Sequence, residues 1–159
     1  DILKLINEKI SNSGIKWVFF FLDNPNNFHK RIKYLIKRIE FPHSLRKEIL
    51  ESAKIIDSLP NFENLSPVEK VKILDSGMLE EILEISHHWD SLTKYAKSIR
   101  TQYPGIGKSS SIIGDDLVDL GISGEQVGKI LAQVRLAELE NKIDNSKQAI
   151  QLAIELMNE

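Results

Sequence analysis

Apolar residues recur at helical spacing from one end of this chain to the other, and strand-like alternation is nearly absent. That periodicity predicts an all-α fold, an array of short packed helices. Ile2, Ile6 and Ile10 stand four apart, and Asn12-Ser13-Gly14 reads as the end of their helix. Ile15 to Leu22 is apolar on nearly all sides and reads as a central buried helix. Lys16 within it and Asp23-Asn24-Pro25 behind it make it too short to span a bilayer. From a cap at Asn26 or Asn27, an amphipathic helix runs to Glu40 with Phe28, Ile32, Leu35, Ile36 and Ile39 inward. Phe41-Pro42 breaks it, and Arg46 and Lys47 open a helix running to Leu59.

Further on, Ser66-Pro67-Val68-Glu69 is a full start signal, with a capping serine, proline at the first helical position and a glutamate closing the box. Leu79, Ile82, Ser86 and Trp89, then Leu92, Tyr95, Ile99 and Tyr103, continue the inner pattern. Pro104-Gly105-Ile106-Gly107-Lys108-Ser109-Ser110-Ser111 reads as a flexible connection, so a helical body over 1–103 and a helical tail over 104–159 are expected. In the tail, Val127, Ile130, Leu131 and Val134 point inward, and Asn145 caps a last helix with Gln148 at the box position.

Charge narrows the partners. The net charge of −2 gives no overall attraction to polyanions, so nucleic acid has to be met by local fields. Two stretches supply them. Lys30, Arg31, Lys33, Lys37, Arg38, Arg46 and Lys47 face a single acid, Glu40; Lys94, Lys97, Arg100 and Lys108 lie in a stretch with no acid. The absence of cysteine excludes disulfides and thiolate metal sites, and with no signal peptide in view a cytoplasmic location is expected. The chain opens at Asp1 already inside an apolar pattern, as a fragment of a longer protein would.

Catalytic constellations are missing. Gly107-Lys108-Ser109 lacks the phosphate-loop glycine five residues before Gly107, where Gln102 stands, and no strand precedes it. His87 and His88 are adjacent on a helix, about 100° apart, and do not converge on one ion. Asp115, Asp116 and Asp119 suit the dipole of a helix start better than a paired metal site. No Gly-x-Ser-x-Gly elbow occurs.

What remains is the corner from Ile113 to Leu131. A very short helix ends at Leu120, Gly121 supplies the left-handed residue, and a second helix opens at Gly124. Ser123 is placed to cap it, with Gln126 at capping-box spacing; Gly128 keeps its first turn slim, and Lys129 stands beside the free N–H groups. Tyr103-Pro104-Gly105-Ile106-Gly107-Lys108 and Leu120 to Gly128 both resemble helix-hairpin-helix turns, which hold a backbone phosphate through N–H groups.

This corner, followed by Asn145-Ser146-Lys147-Gln148-Ala149, resembles the tail of bacterial class II tRNA nucleotidyltransferases, the CCA-adding enzymes and the related poly(A) polymerases. The match lies in the Ile113-Gly114-Asp115-Asp116-Leu117 run, the Leu120-Gly121 turn and the helix opening at Gly124 before Ile130-Leu131. Where the family has Pro-Gly-Pro-like residues, this chain has Ser123-Gly124-Glu125. The resemblance implies a body and tail that hold tRNA, or another structured RNA, for template-independent addition at its 3′ end. Catalysis, with Mg and ATP or CTP, would belong to an N-terminal head and neck, a partner within the full-length protein. The Asp-x-Asp and Glu-Asp-x-x-Arg motifs of that chemistry do not occur here. The expected RNA contacts are Lys129, Ser123, Gly124 and Gly128 at the corner, Lys108 and Arg100 at the connection, and Lys30, Arg31, Lys37 and Arg38 on the basic helix. A helix-hairpin-helix module for DNA and a helical protein–protein scaffold are the alternatives.

Overall fold

In the computed structural model, residues 11–20, 28–86 and 89–158 are described. The expected helix over Ile2, Ile6 and Ile10, the cap at Asn26 or Asn27, and the His87-His88 pair lie outside them. Among the described residues the chain is helical and holds no strand. The helices are α1 (Ser13–Phe20), α2 (Phe28–Ile36), α3 (His43–Ser58), α4 (Pro67–Leu74), α5 (Leu79–Ser86), α6 (Asp90–Gln102), α7 (Gly114–Asp119), α8 (Glu125–Leu139) and α9 (Ser146–Met157), with a 3-10 helix at Leu59–Asn64. None of them is long and apolar enough to cross a membrane.

The chain divides into two compact units. The first comprises Asp1–Phe62 and Gly77–Ser98, the second Glu63–Ser76 and Ile99–Glu159. The connection over 104–111 therefore lies inside the second unit, and α4 belongs with the tail helices.

In the first unit, α3 is the element on which α1, α2 and α5 pack. Asn12, read from sequence as part of a helix stop, starts α1 instead, its side-chain oxygen accepting the Ile15 N–H at 3.0 Å. Gly14 then meets α3 so closely that a Cβ would stand 2.4 Å from the Glu48 Cβ. The helix buries Ile15, Val18 and Phe19, but Trp17 on its other side is 37% exposed. The expected burial on nearly all sides is thus one-sided.

Helix α2 buries Phe28, Ile32 and Ile36 and stops there, short of Glu40. Arg38 N–H bonds the Leu35 carbonyl, a bond of 3-10 type that tightens and ends the helix. Helical phase is lost beyond it, so Ile39 is exposed while Lys37 and Arg38 fall in the turn.

The second unit is built on α8, which packs against α4, α7 and α9. Its core joins Ile112, Leu117, Ile122, Ile130, Val134, Ala149 and Ala153. The Ser66 start signal of α4 forms as its residues dictate: Glu69 N–H reaches the Ser66 hydroxyl and Ser66 N–H the Glu69 carboxylate. Asn145 caps α9 through the Gln148 N–H at 3.0 Å, whereas the Gln148 side chain turns back to the Asp144 N–H rather than to Asn145.

Candidate nucleic-acid interface

The corner between α7 and α8 is set by backbone geometry. Leu120 ends α7, Gly121 takes φ 86°, and two bonds close the stop: Gly121 N–H to the Val118 carbonyl and Ile122 N–H to the Leu117 carbonyl. That is a Schellman arrangement, and Leu117 and Ile122, which flank it, both enter the core. Helix α8 then begins at Glu125, with Gly124 as its N-cap at φ 63° and ψ −139°. The expected capping by Ser123 does not form. Gly124 makes the turn into the helix in a conformation suited to glycine, which leaves Ser123 one position too early to reach the first-turn N–H groups. No side chain caps the start of α8, and its residues Gly124, Glu125 and Gln126 are exposed.

Beside them, Lys129 is 62% exposed and its Nζ lies 2.9 Å from the Glu125 Oε1. Ser123, Gly124 and Gly128 are exposed. The positive end of the helix and Lys129 attract an anion, and the Glu125 carboxylate opposes it, in part neutralised by its pairing with Lys129.

The second expected phosphate turn is directed inward. Gly105 N–H donates to the Leu139 carbonyl at 2.8 Å, Ile106 N–H to Tyr103 and Lys108 N–H to Gly105. A Cβ on Gly105 would stand 2.9 Å from the backbone of Glu138 and Leu139, so this glycine serves a close approach to α8. Tyr103 is buried there, and burial, with Glu140 and Glu63 nearby, pushes its phenol up to about 12. Lys108 is exposed, and its Nζ donates to the Asn141 Oδ1 at 2.7 Å. Arg100 is exposed near the end of α6.

In the first unit, Lys30 and Arg31 project from α2, with Arg31 over the Phe28 ring at 5.5 Å. Arg38 lies over the Tyr34 ring at 4.4 Å, and Lys37 is exposed beside it. The expected contacts are thus divided between the units. The structure gathers Ser123, Gly124, Gly128 and Lys129 on one corner and Lys30, Arg31, Lys37 and Arg38 around α2.

Sequence reasoning missed a dense polar cluster in the second unit. Arg135 on α8 has only 8% of its side chain exposed and grips Asp75 with two nitrogens, the shorter contact being 2.7 Å. It also donates to Glu138 at 3.1 Å and to the Lys108 carbonyl. Glu138 in turn accepts the Ser110 hydroxyl at 3.0 Å, the Ser111 N–H at 2.8 Å and the Ser111 hydroxyl. Burial alone pushes the Glu138 carboxyl up, but the Ser111, Arg135 and Ser110 donors hold it below the usual carboxylate range. Burial likewise opposes the Arg135 charge, and its bonds to Asp75 and Glu138 raise it instead. The cluster pins residues 108–111 to α8, so the stretch read as a flexible connection is a held one. The sequence signal was an opposite-charge pair three apart on the same side of α8 as Leu131; Asp75, far away in sequence, offered none.

No family model, curated protein or solved structure matches this chain.

Proposed function

We propose that this chain is an RNA-binding region of a tRNA nucleotidyltransferase or poly(A) polymerase, holding tRNA so that its 3′ end reaches a catalytic head elsewhere in a cytoplasmic protein. Metal ions and ATP or CTP would act at that head. The observation that carries the reading is the corner at Gly121–Lys129, an exposed helix start that no side chain caps, with an exposed lysine one turn on. Duplex RNA hides its base edges in a deep major groove, so contacts of this kind read backbone shape and phosphate spacing. Lys108, Arg100 and the cations around α2 are further points of contact.

A titration of the chain against tRNA across a salt series tests this. Affinity falls steeply with salt, and Lys129→Glu lowers the slope of log K against log salt by about one phosphate contact while the helical signal is kept. Absence of binding at low salt overturns the reading. Tighter binding to a DNA duplex or junction under the same salt transfers it to the DNA-module alternative. Ile113 and Val118, 60% and 55% exposed on one short segment, favour a second reading, a protein–protein scaffold. That reading expects self-association or partner capture lost in Ile113→Asp, with no affinity for nucleic acid.

A further inference from the structure

Gly128 lies within α8, where glycine is destabilising relative to alanine, yet a Cβ there would meet nothing within 4 Å. No contact among the described residues calls for it. The missing side chain opens onto an open groove of about 390 Å³ on the second unit, within the size range of small-molecule sites. Its walls are Val68 and Val71 of α4, Leu131 and Ala132 of α8, and Ile112. Gly128, Leu131, Ala132 and Arg135 follow one another at helical spacing, so the groove runs along one stripe of α8.

Three charged groups line it, Lys72, Asp75 and Arg135, two cations against one acid. Asp75 and Arg135 are bonded to each other, and Arg135 is further neutralised by Glu138. Lys72 is exposed and has no ion pair among the described residues. The lining therefore offers apolar walls and one uncommitted positive charge.

We propose that this groove binds a small amphiphilic carboxylate, its apolar body against Val68, Val71, Leu131 and Ala132 and its head group at Lys72. Lys72 is the lining cation with no ion pair among the described residues, and a carboxylate head group is its complement. The site requires no polynucleotide and does not depend on the RNA reading.

Decanoate, below its micellar concentration, is the probe, with decanol and decylammonium as neutral and cationic counterparts, followed by amide chemical shifts of the whole chain. Decanoate moves the Ile112, Gly128, Leu131 and Ala132 amides and binds tighter than either counterpart. Lys72→Gln weakens decanoate about 2- to 5-fold and leaves decanol unchanged. Gly128→Leu keeps the fold, since space is open there, and weakens both by tenfold or more. Equal affinity for the three probes, shifts that persist in Gly128→Leu, or no groove shifts at millimolar decanoate each overturn the proposal.

Discussion

The two units solve the same problem, packing short helices around a central one, with different materials. In the first, α1 and α2 lie on α3 through large apolar side chains, and Gly14 lets two backbones nearly touch. Rings meet rings there, Phe19 with Trp89 at 4.7 Å between centroids and Trp17 with Phe41 at 5.2 Å. In the second, Ala149 and Ala153 let α9 lie against an aliphatic core, and a charge cluster with Arg135 and Glu138 buried joins α4, α8 and the 108–111 stretch. The difference teaches where each unit is vulnerable. Apolar close packing fails when volume is added. A buried ion network fails when one member is removed or titrated, because the charge left behind has no solvent to turn to.

The sharpest way to break this comparison is Arg135→Met. It takes the cation from Glu138, itself only 8% exposed, and leaves that carboxylate the Ser110 and Ser111 donors alone; the second unit is expected to lose about 3 kcal/mol. Native-state hydrogen exchange would then show faster opening of α8 and α4 amides, with α1 and α3 amides unchanged. Uniform loss across both units would mean that they do not fail separately. Next comes Gly14→Ala, whose Cβ meets the Glu48 Cβ and carbonyl carbon at 2.4 and 2.7 Å. It should cost about 1–3 kcal/mol, read by denaturant midpoint, with the exchange loss confined to α1, α2 and α3.

Titration gives a smaller contrast that needs no substitution. The folded-state carboxyl of Glu138 lies below its unfolded value, so its contribution is present above that unfolded value and is lost as pH falls through the folded one. Tyr103 acts at the other end: its contribution is complete below the ordinary 10.0 and is lost as pH rises toward about 12. The second unit should therefore lose exchange protection before the first in both acid and strong alkali. Glu138→Gln removes the acid-side part of that pH dependence. The smallest expected effect is a gain. Gly128→Ala should stabilise α8 by about 0.5–1 kcal/mol in the absence of any ligand, measured by thermal unfolding. No gain would mean that the glycine answers a backbone demand within the chain.

Signals confined to a few neighbouring residues are legible in the sequence. The all-α class follows from periodicity, the start of α4 from Ser66-Pro67-Val68-Glu69, and the left-handed stop at Gly121 from a glycine placed after a short apolar helix. The corner is readable for the same reason: its shape is a property of consecutive dihedral angles. Ser123 has the hydrogen-bonding capacity of a cap, but capacity says nothing about which residue makes the turn, and Gly124 makes it. The inward direction of Gly105 and the pinning of 108–111 are hidden from sequence, since both depend on α8 lying alongside.

By itself, then, the sequence determined which segments become helices, where several of them start and stop, and which residues are charged. Tertiary structure decided which helices share a unit, placing α4 with the tail although α5 and much of α6 intervene in the chain. It also decided which charges are occupied: Arg135 is spent on Asp75 and Glu138, while Lys129, Lys72 and the cations around α2 stay at the surface. The physical reason is range. Backbone preference and capping act within a turn or two, whereas desolvation of an ion pair depends on what packs over it, and that is fixed only when distant segments meet.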